Sequence, residues 1–349
     1  MLRTLFHSNM HRSAAAAIAL AAAALVPAQA SAQFGSVFFF GDSFTDVGSA
    51  AGLSAIYHLP NPTPPPYAPG RFTNGLVYSE IFASRLGHAN DANSAWVGTG
   101  NNYAIGGATT GIYGAGGTPT GMNSQIAKFT TDHPNPALIA PNSLFVLFGG
   151  GNDIIDAVAL SDPAARMAAV QVAANNILSF TGFLATSYGI RNFLIPLVPD
   201  VGSAPLYGGD PASATIASGL TATFDGLVSV GIQGLDGGIA GLNASTLNLN
   251  NILTNIRIDA ATGGTKYGIT NLAVPCFTPA NPPISCASSL FVDHLHPTSP
   301  VEQLFADAAY NRVVNGVDVS VVPEPSTIVL MAAGLGLLAM AGGKRKKVA

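Results

Sequence analysis

Apolar and polar positions follow two different rhythms along this chain. Residues 36–40 (SVFFF), 143–148 (SLFVLF) and 192–198 (NFLIPLV) are short, almost unbroken apolar runs, and each stops at a Gly or Pro. Such runs predict strands buried on both faces of a parallel sheet, where neither face meets water. Elsewhere the period lengthens. Met167, Val170, Ala174, Ile177 and Leu178 recur at helical spacing, as do Leu220, Phe224 and Leu227. Ser299-Pro300-Val301-Glu302 predicts a helix start, with Ser299 as N-cap, Pro300 in the first turn and Glu302 closing a capping box. Val301, Leu304, Phe305 and Ala308 then mark one face. This alternation predicts an α/β fold, a three-layer α/β/α sandwich with a central parallel sheet. Residues 60–70 and 98–121 carry no sustained period and read as loops over the sheet edge.

The two ends break the pattern. Residues 1–32 combine Arg3 and Arg12 with an apolar run over 14–26, Pro27, and a small-x-small site at Ala30-Ser31-Ala32. That is the order of a cleaved signal peptide. At the other end, Pro323-Glu324-Pro325 precedes an uncharged stretch, residues 326–343, closed by Lys344-Arg345-Lys346-Lys347. Its length barely suffices to cross a bilayer, and the basic cluster would stay on the cytoplasmic side. The tail resembles the PEP-CTERM sorting signal of Gram-negative bacteria. That resemblance implies processing by exosortase-type machinery and the company of exopolysaccharide production; a plain membrane anchor would show the same hydropathy. The expected division is a signal peptide over 1–32, one catalytic domain over 33–318 and a sorting tail over 319–349.

Charge narrows the partners. Residues 33–322 hold 8 Lys+Arg against 17 Asp+Glu. So acidic a body offers no extended phosphate-binding surface, and nucleic acid is not an expected partner. Cys276 and Cys286 fit neither a redox C-x-x-C nor a four-ligand zinc site. An oxidising compartment favours a local disulfide between them, the other reading being two unpaired thiols.

Candidate chemistry begins where the first strand ends, in Gly41-Asp42-Ser43-Phe44-Thr45-Asp46. Loops at the carboxyl ends of parallel strands form the ligand crevice, so Ser43 is placed to meet substrate. A serine hydroxyl needs a base. Val292-Asp293-His294-Leu295-His296-Pro297 offers an imidazole with a carboxylate three residues before it, suited to accept the serine proton and to hold the tautomer. Acyl transfer also needs donors aimed at the developing oxyanion. Residues 102–109 (NYAIGGAT) and 149–153 (GGGND) supply glycine amides and the Asn152 carboxamide. Asp46 and Asp153 read as turn-holding carboxylates and His294 as a rim residue. Rival chemistries lack their marks. There is no G-x-S-x-G elbow at Ser43, Met122 stands where a Walker lysine belongs, and no H-E-x-x-H occurs, so no metal or other cofactor is expected.

These motifs resemble, in order, the blocks of the GDSL/SGNH hydrolases. GDSFTDVG is similar to block I, NYAIGGATT to block II, GGND to block III and DHLHP to block V, while GRFTNG and the segments 188–191 and 199–202 resemble connecting stretches of the lipase-like branch. The resemblance implies a flavodoxin-like fold and ester hydrolysis through an acyl-enzyme. The family's nucleophile falls on Ser43, its dyad on Asp293 and His296, and its oxyanion donors on the Ser43 and Gly107 amides and Asn152. Phe44 replaces the eponymous Leu, and Val47 and Ser49 replace the usual Thr and Asn. Three readings of function stay open: a lipase or esterase acting on lipid or short acyl esters, an acetylesterase acting on exported polysaccharide, and an inert envelope-associated binding protein.

Overall fold

The computed structural model describes residues 33–277 and 285–321. The expected signal peptide at 1–32, the Pro-Glu-Pro motif and the apolar stretch at 326–343 lie outside the described residues. Three strands form where the apolar runs predict them: β1 (Val37–Gly41), β2 (Leu144–Phe148) and β3 (Asn192–Pro196). They pair in parallel, Val37 opposite Leu144 and Leu144 opposite Asn192. A fourth parallel strand, β4 (Asn243–Leu247), closes the sheet beside β3, with Asn192 opposite Asn243. Its sequence, NASTL, carries no apolar run because only Leu247 is fully buried at that edge.

The alternating pleat sends side chains into two cores. Phe38, Phe40, Phe145, Leu147, Phe193 and Ile195 face one side. There they meet α3 (Met122–Asp132), α5 (Pro163–Ser187) and α6 (Pro211–Gly238), which follow α1 (Ser49–Tyr57) and α2 (Tyr78–Arg85), with α4 (Gly151–Val158) between β2 and α5. Val37, Phe39, Leu144, Val146, Phe148 and Leu194 face the other side, against α2, α7 (Leu249–Ala261) and α8 (Ser299–Asn315). The result is the α/β/α sandwich that the alternation implies.

Each long helix starts on an Asp-Pro pair. The Asp162 and Asp210 carboxylates accept the N–H groups of Ala164 and Ser213, while Pro163 and Pro211 occupy first-turn positions that need no donor. By length and composition α5 and α6 could each cross a membrane, yet they pack against one another with one face of each in the core. Met167 and Leu227 fall at the margins of those faces and are more than a third exposed.

Two expectations need correction. Residues 98–121 are not all loop: the Phe39 N–H donates to Asn101, and the N–H groups of Tyr103 and Ile105 donate to Phe39 and Gly41, so this segment runs parallel along the outer edge of β1. The chain therefore leaves β1 to one side for this edge and to the other side for β2, which puts the crevice of a topological switch beside β1. The start of α8 also differs. Thr298, not Ser299, is the N-cap, and its hydroxyl donates to the Ser289 carbonyl at 2.6 Å. Glu302 does not close a capping box, because its carboxylate accepts the Tyr78 N–H at 2.9 Å and joins α8 to α2.

Candidate active site

β1 ends in a turn shaped by its own carboxylates. The Asp42 carbonyl accepts the N–H groups of Thr45 and Asp46, both at 3.0 Å, and its side chain accepts Phe44 N–H at 3.1 Å. Burial pushes the Asp42 carboxyl up to about 7, against the opposing pull of the Phe44 N–H and His296. Asp46 gathers four amides: Gly48 and Ser49 on one oxygen at 2.7 and 2.6 Å, Ala50 and Gly106 on the other at 3.0 and 2.7 Å. It thus caps the start of α1 and fastens the segment carrying Gly107, the turn-holding part that the sequence suggests for it. Asp46→Asn would turn one oxygen into a donor facing two donors. A loss of about 2–4 kcal/mol in unfolding free energy is expected from denaturant melts.

Ser43, at the tip of this turn, meets a residue 253 positions away. Its hydroxyl lies 2.8 Å from His296 Nε2, and His296 Nδ1 lies 2.7 Å from Asp293 Oδ2. The Asp-x-x-His spacing makes this possible. Val292 N–H donates to the His296 carbonyl, closing a tight loop, and Asp293 Oδ1 accepts the N–H groups of Leu295 and His296, both at 2.7 Å. One oxygen of Asp293 folds the loop while the other orients the imidazole. Burial alone would raise the Asp293 carboxyl. The hydrogen bond and charge of His296, with the two backbone donors, hold it well below the usual carboxylate range. His294 is exposed; its carbonyl accepts Leu206 N–H, and His296 is the histidine that reaches Ser43.

The imidazole is flanked by two rings that the sequence did not single out as site residues, Phe44 at 5.9 Å and Phe72 at 5.1 Å between centroids. A third omission is Tyr67, in the Pro-rich loop, whose hydroxyl donates to Asp293 Oδ2 at 2.7 Å. The only sequence signal for either Phe72 or Tyr67 is position, just inside and just before the GRFTNG stretch. Thr73 and Asn74 of that stretch bind the Pro297 carbonyl and Ser299 N–H, fixing it to the histidine loop.

The proposed oxyanion donors come from two further loops. Gly107 has φ +80°, and a Cβ there would meet the Ala115 methyl at 2.6 Å, so backbone and space both demand glycine. Among the described residues neither the Gly107 nor the Ser43 amide finds a hydrogen-bond acceptor. Asn152, in the first turn of α4, donates to the Ala108 carbonyl at 2.9 Å, which keeps its carboxamide beside this loop. Asp153 accepts the Thr110 N–H and hydroxyl at 2.9 and 2.8 Å, clamping the same loop to α4. Cys276 and Cys286 are joined by a disulfide. The Cys276 and Phe277 amides bond the carbonyls of Phe291 and Val292, which lead into the Asp293 loop.

From Ser43 and Asn152 a cavity of about 40 Å³, opening onto solvent, runs alongside the histidine loop. Phe44, Phe148, Leu253, Leu290, Phe291 and Phe305 make its wall predominantly apolar. Among the described residues no group of three or more His, Cys, Asp or Glu side chains could hold a metal ion.

Comparison with known proteins adds the following. Residues 37–309 match the GDSL-like lipase/acylhydrolase family and residues 321–346 the PEP-CTERM protein-sorting motif. Esterase EstA of Pseudomonas aeruginosa is 28% identical over 353 residues, covering 88% of this chain, and the protein of the same name from Pseudomonas putida matches to the same extent. The chain spans about half the length of these relatives, 51% of each. A solved carbohydrate esterase aligns with 82% of this chain and 69% of its own at 14% identity and a TM-score of 0.39.

Proposed function

The chain belongs to the GDSL-like lipase/acylhydrolase family, and on that premise we propose that it is an exported serine hydrolase of acyl esters. The observation that carries this reading is the unbroken hydrogen-bond chain from Ser43 through His296 to Asp293. Ser43 Oγ attacks the ester carbonyl as His296 Nε2 takes its proton, and Asp293 holds the Nδ1–H tautomer and stabilises the imidazolium. The negative charge that develops on the carbonyl oxygen is received by the Ser43 and Gly107 amides and the second N–H of Asn152. His296 then returns its proton to the leaving alcohol. A water molecule, deprotonated by the same nitrogen, releases the acid from Ser43.

The PEP-CTERM motif marks the chain for export to the envelope. Processing by exosortase-type machinery, with residues 326–343 holding the membrane until then, belongs to the proposal. The apolar wall beside Ser43 favours an acyl chain longer than acetyl, so lipid or short-chain esters are preferred to acetylated glycans as substrates.

The test is a series of nitrophenyl esters of rising acyl length, with a phosphonate reagent to mark the nucleophile. The full chain should hydrolyse butyryl and longer esters faster than acetyl and take up one phosphonate on Ser43. A preference for acetylated glycans would replace the substrate assignment, and no turnover with no labelling would sink the enzyme reading. Leu253→Phe, which narrows the pocket, should lower kcat/KM for decanoyl relative to acetyl ester by about 10-fold or more, in keeping with one to a few methylenes excluded.

A further inference from the structure

We propose that Tyr67 is a positioning residue for the Asp293–His296 pair, a fourth link that restrains the carboxylate and moderates its pull on the imidazole. This rests on the reading of Asp293 and His296 given above. Asp293 accepts four hydrogen bonds, two on each oxygen. The backbone pair on Oδ1 belongs to the loop's own fold. On Oδ2, however, His296 Nδ1 and the Tyr67 hydroxyl converge at 2.7 Å each. The Leu295 and His296 donors belong to the same short loop as Asp293 and move with it; among the described residues the Tyr67 hydroxyl is the donor that ties the carboxylate to a distant segment and so restrains rotation about its χ2 bond.

Tyr67 is itself braced. Its ring lies 5.8 Å from that of Phe277, the residue after Cys276, and the Phe277 amide donates to the Val292 carbonyl immediately before Asp293. The Tyr67 loop is fixed on its other side, where the Ala68 N–H donates to the Thr73 carbonyl. The tyrosine is thus held by the disulfide segment and the GRFTNG stretch together, both anchored to the histidine loop. Burial, and then the hydrogen bond and charge of Asp293, push the phenol further above its ordinary value, so it stays a donor throughout the working range.

The electrostatic consequence has a definite sign. A phenol donating to Oδ2 drains charge from the carboxylate and competes with the Nδ1–H for it. Without the phenol, Asp293 is a stronger acceptor, the imidazolium is better stabilised, and His296 holds its proton to higher pH. Among the described residues the other ionisable groups near the pair are Asp42, whose carboxyl acts on His296 through space, and His294, exposed on the same loop. Neither contacts the Tyr67 hydroxyl.

The experiment compares the full chain with Tyr67→Phe, which keeps the ring against Phe277 and removes only the hydroxyl. Two readouts are taken, esterase pH profiles and NMR titration of the histidine-labelled protein, the second independent of turnover. The expected result is a kcat about 3- to 30-fold lower with KM nearly unchanged, because the misplaced carboxylate and imidazole cost more than the better-stabilised imidazolium returns. The acid limb of kcat/KM and the His296 titration should both move upward by about half a pH unit. Phe277→Leu, which loosens the brace but keeps the hydroxyl, should shift both readouts in the same direction by less. A Tyr67→Phe protein with wild-type titration and wild-type kcat overturns the proposal, as does a loss confined to KM. If the wild-type chain hydrolyses no ester, the functional reading fails, while the NMR titration still decides whether Tyr67 acts on the pair.

Discussion

Ser43→Ala is expected to leave a folded protein that no longer turns over esters, with kcat lowered about 10⁴- to 10⁶-fold. Ser43 is buried at the tip of a turn whose shape comes from Asp42 and Asp46, so the loss of one hydroxyl removes none of the bonds that build the turn. What disappears is the acceptor of the acyl group. The remaining rate reports the oxyanion donors and binding alone. Initial rates with a chromogenic butyrate, alongside phosphonate labelling, measure both. A variant retaining more than about one-hundredth of wild-type turnover would place the nucleophile elsewhere, because that is far above what a triad leaves behind when its nucleophile is removed.

Asp293→Asn should cost nearly as much, about 10⁴-fold in kcat, through a different route. The asparagine oxygen can still accept the Leu295 and His296 amides and keep the loop closed. Its amino group then faces His296 Nδ1 and the Tyr67 hydroxyl, where an acceptor is needed. The imidazole responds by carrying its proton on Nε2, the nitrogen that must take the one from Ser43. Melting curves near neutral pH should fall modestly, by what the ionised carboxylate contributes, while kcat collapses; a large fall in stability with kcat preserved would contradict the role proposed for Asp293. Because its carboxyl is held well below the ordinary range in the folded protein, Asp293 stabilises the native state above the usual carboxylate value. That contribution declines as the pH falls below the usual carboxylate value and is gone once it has fallen through the depressed native value.

The sandwich was readable from strands buried on both faces, since three apolar runs leave no other economical arrangement. β4 was not, because an edge strand with one wet side can be written in Asn, Ser and Thr. The segment at Asn102 escaped for a related reason: it pairs with β1 through a few bonds inside a Gly-rich stretch, and periodicity does not register so short an edge. At the start of α8, Ser-Pro-x-Glu satisfied every local rule for a capping box. The interior nevertheless claimed Glu302 for Tyr78, a tertiary contact that no local pattern contains.

The site divides in the same way. Ser43, Asp293 and His296 could be named because each chemical role demands a particular side chain at a particular kind of turn. Gly107 announced itself less by chemistry than by family pattern, and its positive φ explains why the pattern holds glycine there. Tyr67, Phe72 and Phe44 carry no such mark. They act by contact, and contact between residues 67 and 293 is a product of the whole fold rather than of either neighbourhood.

The separation of 253 residues between Ser43 and His296 also sets a timetable. A chain is made from its amino end. The turn carrying Ser43 therefore emerges first, and His296 last, about 10 to 50 s later at ordinary rates of synthesis. Through that interval Ser43 has no His296 to meet, and the pocket lacks the wall that Phe291 and Phe305 provide. On the proposed chemistry, the growing chain therefore lacks the Ser43–His296 pair until its synthesis is nearly complete.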